Sequence, residues 1–182
     1  MGEALGLKEG AMSQGPRTSL WDFAVWLYSQ PGVAATSLDL QERHRVDVNL
    51  LMFAAWVGGA LGARLTAADV VRAQEVSAIW QQQWVVPIRA LRRQLKAAPT
   101  KSADPGFADI LESMKALELQ AERLEIEQLQ SVAAQIMRQG SDPAGASPVT
   151  DNLLAIMRAQ AVPDAAATAA AEVIRQAGGS SG

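Results

Sequence analysis

The sequence predicts an all-α fold, a helical bundle of about five to six helices with a mobile alanine-rich C-terminal tail. Three observations carry this prediction. Apolar residues recur at helical spacing through most of residues 18–140, helix-capping residues stand at the starts of the periodic segments, and no strand-like alternation of useful length occurs. With 182 residues, 49% of them hydrophobic, the chain can bury one core without disulfide or metal staples. The expected organisation is a flexible N-terminus over 1–17, a bundle domain over 18–140, a linker over 141–149 and a helical or disordered tail over 150–182.

Ser19 caps the first helix, whose apolar residues run from Leu20 to Tyr28 before Pro31-Gly32 marks a turn. A second, amphipathic helix follows from Val33 to Arg45, with Val33, Ser37, Leu40 and His44 along one stripe. Asp47 caps Val48 to Ala63, which is apolar nearly all round and is therefore expected to be the central helix. Thr66, with Asp69 in the first turn, opens a helix that runs to Pro87. The proline removes a backbone donor and crowds the preceding turn, so a kink or break is expected near Gln83 to Val86 before helix resumes over Ile88 to Ala97. Ala98 to Pro105 reads as a loop, Asp104-Pro105 as the start of a long helix, and Gly140 as its stop. The segments Asp151 to Gln160 and Asp164 to Ala177 are alanine-rich; alanine favours helix but buries little area, so they are expected to be marginal, mobile or docked only with a partner.

Composition removes much chemistry. There is no cysteine, which excludes disulfides, thiolate nucleophiles and cysteine-ligated metals. His44 is the only histidine, so multi-histidine metal sites are excluded, and it reads as a helix-end residue rather than a catalytic base. The glycines Gly58, Gly59 and Gly62 follow no strand and precede no Gly-Lys-Ser/Thr, so they form no phosphate loop; Gly58-x-x-x-Gly62 predicts instead a close helix crossing. The apolar run around them is too short to span a bilayer. No cofactor and no metal site is read from the sequence. The formal net charge of −3 gives no general basic field for nucleic acid, and the N-terminus lacks the order of a secretory signal, so a cytoplasmic location is expected.

Two features could carry function. Arg89, Arg92, Arg93 and Lys96 gather positive charge on one helical face, and Glu118, Glu122 and Glu125 gather negative charge on the long helix. These seven residues are solvated faces or interhelical salt bridges, or else a docking face for an acidic partner. Without interleaved aromatics they disfavour nucleic acid. The three glutamates, with Asp47, Asp69 or Glu75, could supply metal ligands or an acid/base pair, but no motif unites them. Trp21, Trp26, Trp56, Trp80 and Trp84 all lie in the first half and fill one core or line a pocket for an apolar ligand, oriented by Asn49 or by Gln81, Gln82 or Gln83. On the long helix, Ile110, Leu111, Met114, Leu117, Leu124, Leu129, Val132 and Ile136 form a strip that serves either the core or a self-dimer.

The runs Leu20-Trp-Asp-Phe-Ala, Leu27-Tyr28, Pro31-Gly-Val33, Leu38-x-Leu40-Gln41 and Asp47-Val-Asn-Leu-Leu51 resemble a proteobacterial family of small helical proteins, a domain of unknown function. Pro87-Ile-Arg-x-Leu-Arg92 and Lys115-x-x-Glu118-Leu119-x-x-Glu122 look like its later signatures, and the similarity covers about Leu20 to Leu129. The resemblance implies a cytoplasmic bacterial protein and brings no activity, substrate or catalytic residue. Family members often carry a cysteine where this chain has Ser37, so a role resting on that thiol is not open to it. Taken together, the sequence favours a non-catalytic protein-interaction or regulatory protein, with a protein partner or self-association, over an enzyme. The alternative is an apolar small-molecule binder or a carboxylate-only enzyme with an aromatic-lined pocket.

Overall fold

In the computed structural model, residues 19–98, 105–139 and 148–179 are described, and all the regular structure among them is helical. Local chemistry sets the ends of the elements. Helix α1 (Leu20–Ser29) is capped by Ser19, whose hydroxyl accepts the Asp22 N–H at 3.1 Å. Helix α2 (Val33–His44) starts after Gly32 at φ 83° and stops at Arg45, a non-glycine residue at φ 57°. The Asp47 carboxylate caps α3 (Val48–Gly59), and a reciprocal Thr66/Asp69 capping box opens α4 (Ala67–Trp80). Helix α3 ends four residues before the expected Ala63, because the chain passes through Gly62 at φ 63°.

The strain expected ahead of Pro87 is present in a specific form. Residues Gln81–Val85 make one π-helical turn, in which the Val86 N–H reaches back five residues to the Gln81 carbonyl, and α5 (Val86–Ala97) continues from it. The long helix α6 (Pro105–Gln139), α7 (Pro148–Ala159) and α8 (Asp164–Gly179) complete the order. The expected Asp104 cap, Gly140 stop, N-terminal segment 1–17 and most of the 141–149 linker lie outside the described residues.

Helix α3 is central, touching α1, α2, α4, α6, α7 and α8, and every residue from Val48 to Gly58 is buried. The all-α expectation holds, with eight α-helices and the π turn among the described residues. The C-terminal segments differ from expectation. Instead of a mobile tail, α7 makes the most extensive contact with α3, and Leu153, Ile156, Met157 and Ile174 are fully buried. Alanine sequences were expected to bury too little area, but Ala167, Ala170 and Ala171 let α8 sit close to its neighbours while the few large residues supply the area.

Two residues explain how α7 seats. A Cβ on Gly58 would lie 2.7 Å from the Val149 backbone, so only glycine admits the start of α7 there. The expected close crossing is therefore real at Gly58, whereas a Cβ on Gly62 would meet nothing within 4 Å, and that glycine serves the turn. Asn152, 1% exposed, accepts the Leu65 N–H at 2.8 Å and donates to the Ala63 carbonyl at 2.9 Å, tying the loop after α3 to α7. No described helix is long and apolar enough to cross a membrane.

Candidate functional site

Helix α5 packs on α6 and the π turn and on no other described element. Its charged side faces inward. Arg89 Nε donates to Glu118 Oε1 at 2.8 Å, Arg89 also donates to Glu122 Oε1 at 2.8 Å, and Arg92 Nε donates to Glu118 Oε2 at 2.6 Å. Arg92, Glu118 and Glu122 are buried. Burial opposes ionisation of Glu118, but hydrogen bonds from Arg92 and Arg89, and their charges, outweigh it and hold its carboxyl below the usual range. For Arg89, burial is likewise overcome by Glu118 and Glu122, and its pKa is raised. Tyr28, beside this network, is pushed up to about 12, first by burial and then by the Glu122 charge, with Arg89 opposing.

One turn further along α6 stands a second polar cluster. Glu125 is fully buried; its Oε2 accepts from Asn49 Nδ2 at 2.9 Å and from Gln81 Nε2 at 2.8 Å. Its other oxygen receives no donor among the described residues, and the Asp47 carboxylate acts on the same carboxyl group. Burial, reinforced by the Asp47 charge and a hydrogen bond shared with Asp47, raises the Glu125 pKa well above the usual range. Asp47 collects donors from Ser77 Oγ, Gln81 Nε2 and the Asn49 N–H. The consistent arrangement is a proton carried by Glu125 and donated to Asp47, as in other close carboxyl pairs.

Both clusters border one half-open cleft of about 1150 Å³. Asp47, Ser77 and Gln81 lie along it, with Gln41, Gln74 and Gln160 contributing amides. Arg45, Arg89, Arg92, Arg93 and Lys96 contribute cations, against the carboxylates of Glu42, Asp47 and Glu118. No aromatic side chain lines it. A water-sized recess of about 10 Å³ shares Gln41, Asp47, Gln81 and Arg89 with the cleft and adds Asn49 and Glu122.

The seven charged residues singled out by sequence do not form one exposed face. Arg89, Arg92, Glu118 and Glu122 join in an internal network, Glu125 belongs to the Asp47 cluster, and only Arg93 and Lys96 are exposed. Periodicity gave the stripes, but both stripes face each other, which a single helix's spacing does not reveal. None of the five tryptophans lines the cleft or the recess. Trp26 and Trp56 are core residues, Trp21 and Trp80 are half-buried, and Trp84 is exposed. Trp56 Nε1 is buried without the acceptor expected for it among the described residues, and Trp21 lies under the Arg123 guanidinium at 5.5 Å. Of the polar groups proposed for orienting a ligand, Gln81 reaches the cleft and Asn49 the recess, while Gln82 and Gln83 are exposed.

Among the described residues no group of three or more metal-ligating side chains gathers, and Asp69 is spent on the α4 cap; His44, half-exposed, lines neither cavity. Sequence reasoning missed Gln41, Arg45, Gln74 and Gln160, because they come from separate elements and share no spacing. Arg45 carried one weak signal, its place at the end of α2 where the chain must turn.

A family model described as "Protein of unknown function (DUF2390)" matches residues 19–129, which run from the α1 cap into α6 and leave α7 and α8 outside. No curated protein and no solved structure matches the chain.

Proposed function

Since the chain belongs to that family of unknown function, and no activity comes with it, we propose that it is a non-catalytic protein-interaction protein whose docking surface is the apolar side of the α5–α6 hairpin. The observation that carries this reading is the orientation of α5. Amphipathic helices turn their apolar side to the core; here arginines point inward while Leu91 is 55% and Trp84 52% exposed.

The hairpin extends the strip onto α6. Arg89 and Arg92 pair with Glu122 and Glu118 in descending order, so the two helices run antiparallel. At about 100° per residue, Leu91 on α5 and Ile110 and Leu117 on α6 then fall on one side of the Arg92–Glu118 contact, with Trp84 exposed in the π turn before α5, and Arg93 and Lys96 fall on the other, cleft side. Half-exposed Ile110 and Leu117 complete the strip, with Ile88, Leu95 and Met114 partly buried beside it. Covering each half-exposed side chain is worth roughly 1 kcal/mol. The residues that flank it, Gln94, Ser113 and Gln120, carry no charge. The occupant that fits is a helix of a partner protein with an apolar face and uncharged polar flanks, bound in a manner insensitive to salt.

The test is a photocrosslinking amino acid placed at Leu91, and separately at Leu117, in the full chain expressed in its native host, with size-exclusion light scattering of the purified protein. One discrete heteromeric adduct shared by both positions, and lost when Trp84→Glu is added, supports the reading. A crosslinked homodimer replaces the partner with a second copy. Absence of any discrete adduct, with a monodisperse monomer, removes it.

A further inference from the structure

We propose that the cleft on the opposite, cationic side of the hairpin is a binding site for a small, non-aromatic, hydroxylated anion, a sugar phosphate or a polyhydroxy acid. This site is independent of the docking strip. Its charge comes first: five cationic side chains line the cleft against three carboxylates, with Glu122 a fourth in the recess, and the remaining excess favours an anion. Arg89 and Arg92 are tied to Glu118, which leaves Arg45 and Arg93, both exposed at its walls, to grip a planar or tetrahedral anionic group.

Second, the cleft and its recess hold buried polar atoms that meet no partner among the described residues. Gln160 spends its Oε1 on the Asp47 N–H at 2.8 Å, while its Nε2 is buried without an acceptor among the described residues. Asn49, 2% exposed, has a buried Oδ1 that no described donor reaches, and it borders the recess that is large enough for a single oxygen atom. A ligand hydroxyl seated there would donate to Asn49 Oδ1, and a second oxygen would take the Gln160 amine. Buried polar atoms left without partners cost free energy, and a complementary ligand removes that cost.

Third, the backbone is held in an unfavourable conformation at this site. Arg45 lies in the left-handed region at φ 57°, where glycine is the favoured residue, and its side chain lines the cleft. The ligand class follows from the remaining lining. Gln160 offers its amine to a ligand oxygen, and Gln74 and Gln81, whose amines are spent on the Ala159 carbonyl and on Asp47 and Glu125, offer their amide oxygens to hydroxyl groups, whereas the absence of any aromatic side chain among the described lining residues gives a nucleobase nothing to stack on.

The experiment is isothermal titration of the full chain with inorganic phosphate, glucose, glucose 6-phosphate, 6-phosphogluconate, gluconate, citrate and ATP. The expected pattern is saturable binding of at least one hydroxylated anion, at least tenfold tighter than inorganic phosphate, glucose or ATP. Arg45→Gly tests the site without threatening the fold, because glycine is at home in that conformation; it should weaken that binding tenfold or more while thermal stability is kept or raised. Unchanged affinity in Arg45→Gly, ATP binding as tightly as the best hydroxylated anion, or no binding by any of the panel would each overturn the proposal. Loss of partner crosslinking at Leu91 would leave this result untouched.

Discussion

Replacing Glu118 by glutamine keeps the side chain's size and removes its charge from the centre of the α5–α6 contact. In the wild type both carboxylate oxygens are used, one by Arg89 and one by Arg92, in a residue that is 2% exposed. An amide presents one acceptor and one donor, so one of the two guanidinium N–H groups meets a donor, and a buried positive charge loses compensation. Removing one partner of a buried ion pair costs about 3–5 kcal/mol, which compares with total stabilities of about 5–15 kcal/mol for whole domains. With a urea m-value of about 2–3 kcal/mol/M, the unfolding midpoint should fall by roughly 1–2 M.

The assay is urea unfolding followed by far-ultraviolet circular dichroism, in low and in high salt. The paired variant Arg92→Met/Glu118→Leu removes both charges and should lie within about 1 kcal/mol of wild type, since well-packed apolar replacements of buried pairs are often neutral. That variant keeps the argument testable if Glu118→Gln does not fold. The pH dependence has a fixed sign: the depressed Glu118 pKa gives stability that is present above the unfolded-state value and is lost as pH falls through the folded one. A cost below about 1 kcal/mol, or one abolished by high salt, would mean that the pair behaves as a solvated surface bridge and would refute the reasoning.

Glu125→Gln should replace a proton-bearing carboxyl by an amide that can donate to Asp47 at any pH. Because the folded-state pKa of Glu125 is raised, wild-type stability should fall relative to the variant as pH rises from the usual carboxyl range through the raised folded-state value, measured by paired urea titrations; parallel curves would contradict the shared proton. Gly58→Ala should cost about 1–3 kcal/mol by forcing α7 away, whereas Gly59→Ala, with Val149 Cγ2 at 3.5 Å, should be within about 0.5 kcal/mol of wild type; equal thermal shifts would deny the close approach. Arg45→Gly should stabilise the fold by about 0.5–1 kcal/mol in thermal unfolding, and a loss of stability would mean that its guanidinium supports the fold. Asn152→Leu should cost at least about 3 kcal/mol, since the Leu65 N–H and the Ala63 carbonyl lose their partner; a smaller loss in urea unfolding would show that water replaces the amide.

Much of the fold was legible because its signals are local. Ser19, Asp47 and Thr66 cap the helices they precede, Pro87 disturbs the turn before it, and the all-round apolar α3 is the helix that the others surround. The docking of α7 and α8 is not legible from composition, because alanine buries little area of its own. What seats these helices is closeness of approach, at Gly58 and along Ala167, Ala170 and Ala171, together with the bridge from Asn152. The candidate site was only partly legible. Glu118, Glu122, Arg89 and Arg92 stood out by spacing, but the cleft is assembled from α2, α4, α5 and the turn after α7, and Gln160 and Gln41 have no relation in sequence that would join them.

The two proposed surfaces follow from one structural choice. Once Arg89 and Arg92 are turned inward onto Glu118 and Glu122, the rotation of α5 about its axis is fixed. That rotation sends Arg93 and Lys96 to the cleft and Leu91 to the opposite side. An apolar contact between α5 and α6 would tolerate several rotations, whereas the descending Arg–Glu register admits one, so the ion network acts here by selecting an orientation more than by adding stability. The near-neutral stability expected of Arg92→Met/Glu118→Leu gives this distinction its force. In that variant α5 should be free to roll its leucines inward, and crosslinking from Leu91 should then fall, although neither residue exchanged lies on the strip and the fold is kept. If crosslinking survives the exchange, the rotation is set elsewhere, and the network is only one way of filling the space between two helices.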